Sequence, residues 1–203
     1  MRIFYGCMLC CLIAFASENK SEKIEEQTPK EINRFHPAIV SSPYYASFGV
    51  HLTYANFWRY PLFDTRSLNS LAFTLDMGWL LGEDHTTLIG FYLDGAAGGG
   101  KSNALYALST GVKVGGRLWE GRVIPFIKLG MSLKHFPFEY QGYQFNTYGL
   151  DAAFGLFFDV AKGYGINLSY NYGYQYAYKL RLDKIHTSTI MLGFSFYDFS
   201  LDW

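Results

Sequence analysis

Cysteine is all but missing from this chain. The three it has, Cys7, Cys10 and Cys11, fall within its first eleven residues. Past that start there is no partner for a disulfide and no thiolate for a metal. Charge is scarce as well, at 17% of residues against about 25% in ordinary soluble domains. Neither sign dominates: 17 Lys and Arg balance 17 Asp and Glu. No basic patch or stripe stands out, so nothing points to nucleic acid. The histidines His36, His51, His85, His135 and His186 are scattered, and no metal site or other cofactor is expected from them. What is abundant is aromatic, 19% of the chain, with a mean hydropathy of only +0.02. Such a chain must interleave apolar and polar residues finely.

The first sixteen residues have the layout of a secretory signal. Arg2 is a short positive start, Ile3 to Phe15 an apolar run, and Ala14-Phe15-Ala16 a small-x-small cleavage pattern before Ser17. The run is too short for a helix to span about 30 Å of hydrocarbon. Lipidation at Cys11 is the weaker alternative, because Leu9 sits one place late. Residues 17–43 are mixed in charge and poor in aromatics, and read as a flexible periplasmic leader.

From Tyr44 to Trp203 the pattern is strict alternation. Leu71, Phe73, Leu75, Met77, Trp79 and Leu81 alternate with Ser70, Ala72, Thr74, Asp76 and Gly78. Ile166, Leu168, Tyr170, Tyr172, Tyr174, Tyr176 and Tyr178 alternate with Asn167, Ser169, Asn171, Gly173, Gln175 and Ala177. Period two is the signature of a strand with two different faces. Strands are predicted at about 44–57, 68–81, 86–95, 104–119, 122–136, 145–161, 164–179 and 186–199, long enough to cross a membrane when tilted. Tight turns at Gly82-Glu83-Asp84, Glu120-Gly121 and Lys162-Gly163 alternate with longer links at 59–67, 96–103, 137–144 and 180–185. Short turns at one end and longer loops at the other are the habit of outer-membrane barrels.

A soluble barrel or sandwich would show the same alternation with the apolar face turned inward. Three features favour the membrane. The polar face is rich in Gly, Ala and Ser, the apolar face carries too many rings for one small core, and the charges come singly along each strand. The expected fold is therefore all-β, an eight-stranded antiparallel up-and-down barrel over 44–203. Aromatic girdles are expected from Tyr44, Trp79, Trp119, Tyr164, Phe199 and Trp203 at the tight-turn rim, and from Phe57, Trp58, Phe136, Tyr148, Tyr176 and Tyr178 at the other.

In this alternation and in its C-terminal Phe199, Leu201 and Trp203, the segment resembles the small eight-stranded bacterial outer-membrane proteins, the OmpX, OmpA-barrel and OmpW-like group. The resemblance is architectural. It implies a bacterial outer-membrane location, contact with outer-membrane lipid and lipopolysaccharide, and an assembly signal in Phe199, Leu201 and Trp203 for the membrane's assembly machinery. Phe194 and Phe196 are out of phase with that ending, which predicts a register break near Tyr197-Asp198.

Charges on the polar face should meet inside so small a barrel. Counting from the tight turns puts Asp76, Lys113 and Lys128 at one height, Arg117 and Asp159 lower, and Lys134, Asp151 and Asp94 higher. An isolated buried charge costs several kcal/mol, so these should pair as a stacked plug. Two motifs suggest chemistry. Gly95-Ala-Ala-Gly-Gly-Gly-Lys101-Ser102 spells a phosphate-binding loop, but the physics requires a helix after it. His186-Thr187-Ser188 is similar to the His-x-Ser of outer-membrane lipid A deacylases, which also need an orienting carboxylate. Thr189 stands where that family has Asn, and no Glu follows Glu139, leaving Asp198 as the stand-in. The leading expectation is a non-enzymatic barrel with a structural or surface-contact role, its loops meeting host or environmental ligands. Passage of small apolar molecules comes second and lipid A acyl hydrolysis third.

Overall fold

The computed structural model describes residues 38–58, 67–99, 104–140, 143–177 and 185–201. The expected signal peptide, most of the leader, and Tyr178 and Trp203 lie outside these described residues, as do the side chains of Phe57, Trp58 and Phe136. Eight strands follow one another along the chain: β1 (Tyr44–Trp58), β2 (Ser67–Leu81), β3 (Thr87–Gly99), β4 (Ala104–Gly116), β5 (Val123–Tyr140), β6 (Tyr143–Ala161), β7 (Tyr164–Ala177) and β8 (Ile185–Asp198). Each pairs antiparallel with its sequence neighbours, and β1 pairs with β8 from Ala46↔Asp198 to Trp58↔His186. The ring closes, so the sheet has no free edge strand, which a lipid environment requires.

The tight turns owe their shape to left-handed residues. At the β6–β7 turn, Lys162 and Gly163 have φ of 51° and 90°, the pattern of a type I′ hairpin whose twist matches its strands. Gly163 is needed twice over, because a Cβ there would stand 2.1 Å from the Tyr197 carbonyl. The β4–β5 link is a single 3-10 turn, Trp119–Gly121. At the opposite end the strands run further than the alternation suggested. β3 continues to Gly99, and β5 and β6 reach Tyr140 and Tyr143, so much of the expected 96–103 and 137–144 links is strand. Cross-strand bonds to β4 carry β3 on through Ala96 to Gly99, past its last large apolar side chain, which is where a periodicity reading stops.

The outward face is the apolar one. On β5, Ile127, Leu129, Met131 and Leu133 are exposed while Phe126, Lys128, Ser132 and Lys134 are buried. The contrast is extreme: Leu52 is 72% exposed and Lys113 is 0%. In water this arrangement would be inverted. The outward residues Leu71 to Leu81 of β2 cover ten steps, about 34 Å along the strand, or about 25 Å across the bilayer at a tilt of about 40–45°. That matches the apolar band of a membrane barrel. Trp79, Trp119 and Tyr164 are exposed at the tight-turn rim, and Tyr148 and Tyr176 at the loop rim, the latter pair with ring centroids 6.0 Å apart.

The expected register break near Tyr197 is absent. β8 keeps unbroken pairing with β1 and with β7. The phase conflict is resolved by facing instead: Phe194 points outward, while Tyr197 and Phe199 are buried inside. Phe199 therefore does not belong to the rim girdle. It joins Tyr45, Leu80, Leu88, Ile124, Phe157 and Tyr197 in an apolar cluster that fills the tight-turn end of the lumen.

Candidate functional site: the lumenal charge network

Above this cluster the lumen turns polar. Asp76 on β2 receives the Lys113 ammonium from β4, and Ser47 of β1 donates to the same carboxylate at 2.7 Å. Lys128 on β5 lies 3.3 Å from Asp76 and 2.9 Å from Asp94 of β3. Two carboxylates and two ammoniums thus form one neutral knot across four strands. Aromatic faces line it. Lys113 Nζ sits 4.6 Å from the Phe126 ring centre and donates to Tyr197 Oη at 2.5 Å, and Lys128 Nζ sits 4.7 Å from the Tyr92 ring centre. Such rings stabilise a desolvated cation. Glycine makes room for them: a Cβ on Gly130 would stand 2.4 Å from Tyr92 Oη.

A second level lies nearer the loops. Lys134 is 3.6 Å from Asp151 and donates to Thr187 Oγ1 at 2.9 Å. Gln175 donates to Asp151 at 2.8 Å and to Ser132 at 2.6 Å. On the facing wall, His51 Nε2 pairs with Thr74 Oγ1 at 3.1 Å, and Asn167 donates to Ser195 at 3.2 Å. At this second level, Ser70, Asp94, Ser109, Lys134, Asp151 and Asn171 border a cavity of about 50 Å³. It has room for a few waters, not for a sugar or an acyl chain.

Arg117 and Asp159 lie lowest, at the tight-turn mouth. No ion pair joins them within contact distance among the described residues. Arg117 stacks on Phe199, 5.0 Å from its ring centre. Burial pushes its guanidinium down from the ordinary value, opposed by the field of Asp159. Asp159 accepts from the Gly163 amide at 3.0 Å. The backbone Ala38–Pro43, expected to be part of a flexible leader, crosses this mouth. Its small and alternating residues gave no sequence signal, because its order comes from hydrogen bonds to groups far along the chain.

The two chemical motifs are not assembled. Gly95 to Gly99 lie within β3 and β4 follows from Ala104, so no helix follows for phosphate to bind; Gly100–Asn103 lie outside the described residues. His186 and Ser188 share the outward face of β8, with Thr187 turned inward between them. Asp198 sits at the far end of the same strand, twelve residues and about 40 Å along it. The imidazole Nδ1 is already engaged by Tyr172 Oη. Phe199 is inside the barrel, Leu201 accepts a hydrogen bond from Ser42, and an assembly role for this end rests on the resemblance alone.

Neither a protein-family model nor a curated protein matches the sequence. Solved structures match the fold. Ail, the attachment invasion locus protein of Yersinia pestis, superimposes with a TM-score of 0.52 at 17% identity, over 77% of this chain and 99% of that one. Ail in complex with the heparin analogue sucrose octasulfate gives 0.53 at 16%, over 76% and 97%. Neisserial surface protein A gives 0.49 at 15%, over 76% and 97%. The likeness is one of architecture. This chain folds as a closed antiparallel membrane barrel of the outer-membrane type, and within that class it is one of the small eight-stranded barrels.

Proposed function

We propose that this protein is a sealed outer-membrane barrel that acts through its loop end, as a structural and surface-contact protein rather than as a pore. The filled lumen carries this reading: an apolar cluster at one end, two neutral charge levels above it, and a cavity of about 50 Å³ bordered by the upper level. The closure of all eight strands into one hydrogen-bonded ring weighs against lateral passage of apolar molecules. The separation of His186, Ser188 and Asp198 weighs against acyl hydrolysis. Planar-bilayer recording of the refolded protein tests the reading. No steady conductance is expected; a stable open channel in the unmodified protein would refute it.

The chemistry of the surface partner is suggested by charge. The segments 59–66, 100–103, 141–142 and 178–184, which join strands at the loop end, lie outside the described residues. Their sequence holds Arg59, Arg66, Lys101, Lys179, Arg181 and Lys184 against Asp64 and Asp183, an excess of four positive charges. An anionic surface polymer fits that balance, and Ail, a barrel of the same fold, has been crystallised with a heparin analogue. The protein in nanodiscs is expected to retain heparin in a salt-dependent way. Replacing Lys179, Arg181 and Lys184 together with Glu should weaken that retention and flatten its salt dependence. Retention unchanged by the triple substitution would remove the anionic partner from the proposal.

A further inference from the structure

We infer that Ala38–Ser42 is a closure latch: a strap across the tight-turn mouth that forms only on the finished barrel and holds it shut. Its contacts come from all round the ring. The Ala38 amide donates to Asp159 Oδ2 at 2.9 Å, at the β6–β7 turn. The Ala38 carbonyl faces Arg117 Nη2 at 3.5 Å, at the β4–β5 turn. The amides of Ser41 and Ser42 both donate to the Phe199 carbonyl at 3.1 Å, just past β8. Ser42 Oγ donates to the Leu201 carbonyl and accepts from the Tyr44 amide. Next in the chain, Pro43 accepts from the Leu80 amide of β2 at 2.7 Å. Ala38 and Val40 pack against the buried apolar cluster, while Ile39, between them, points away and is 85% exposed.

These partners stand on β2, just past β4, near the end of β6, and beyond β8. In an open sheet they are spread along its whole width, and five residues cannot reach them; closing β1 onto β8 brings them to one mouth. The strap therefore binds the closed state and not its open precursor, and any group that binds one state alone shifts the balance toward it. Arg117 and Asp159 have a role here that lumenal charge pairing does not give them. They hold the two polar groups of one peptide-chain residue, Ala38, from the ends of β4 and β6.

Amide hydrogen exchange on the full-length refolded protein tests this. The amides of Ala38, Ser41 and Ser42 should be protected in the unmodified barrel. Asp159→Ala should speed their exchange by about a hundredfold or more, in the manner of a local opening, while mid-strand amides of β2 and β5 stay protected. The same variant should unfold at a lower temperature in the gel-shift assay for heat-modifiable barrels, and the exposed-side control Ile39→Lys should behave as the unmodified protein. Strap amides that exchange at unstructured rates in the unmodified protein overturn the latch, and this measurement needs no variant to fold. An Asp159→Ala barrel with protected strap amides and an unchanged unfolding temperature overturns it equally.

Discussion

Replacing Asp76 with leucine should destabilise the refolded barrel by about 3–5 kcal/mol, the range found when one member of a buried ion pair is removed. The expectation follows from where the loss falls. Asp76 is the shared anion for Lys113 and Lys128. Without it Lys113 keeps Tyr197 and two ring faces but no counter-charge, and Lys128 keeps only Asp94. Two ammoniums would then share one carboxylate in a lumen closed to bulk water at its lower end. Removing charge from both sides is different. Asp76→Leu combined with Lys113→Met leaves Lys128 with Asp94, again neutral, and should recover most of the loss, since apolar replacement of a whole buried pair is often neutral. Urea unfolding in lipid vesicles, followed by tryptophan fluorescence, gives the three free energies. If the double variant loses as much as the sum of the two single ones, the residues are not coupled and the knot is not the unit described here.

The second large effect concerns the adjacent face. Leu129 stands in the middle of the exposed run Ile127 to Leu133, one residue from buried Lys128. Leu129→Arg places a charge against hydrocarbon at mid-depth and should cost about 2–4 kcal/mol. Tyr148→Arg, on the same outward face but at the loop rim, should cost about 0–1 kcal/mol, because an arginine there reaches the headgroups. The same unfolding assay compares them. Equal costs at the two positions would mean that the outward face is not graded by depth, and the membrane placement would be wrong in height or in kind.

Much of the architecture was legible because a strand writes its two faces into the sequence at period two. Residues such as Leu71, Phe73 and Leu75 against Ala72, Thr74 and Asp76 state that the faces differ, and the long outward rings state which face meets lipid. The tight turns were legible for a related reason, since Lys162-Gly163 can take its left-handed pair of conformations at little cost. The periodicity also mispredicted in places. It ended β3 at residue 95, though the chain stays paired to Gly99. It took the phase shift between Phe196 and Phe199 for a bulge. Both rings are where unbroken alternation puts them; the inward one, Phe199, belongs to the apolar cluster at the tight-turn end of the lumen rather than to the rim girdle.

The sequence by itself determined that this chain makes paired, two-faced strands of membrane length with charges confined to one face, because those properties are local and repeat every second residue. Only the tertiary structure decided which charges meet. Whether Lys128 reaches Asp76, Asp94 or both depends on the stagger at which β2, β3, β4 and β5 close into a ring, and stagger is set by pairing between strands rather than within one. The same closure brings Asp159, Arg117, Phe199 and Leu80 to a single mouth where Ala38–Pro43 can lie across them. No window of sequence contains that set, since Leu80 and Phe199 are 119 residues apart along the chain and become neighbours only when β1 meets β8.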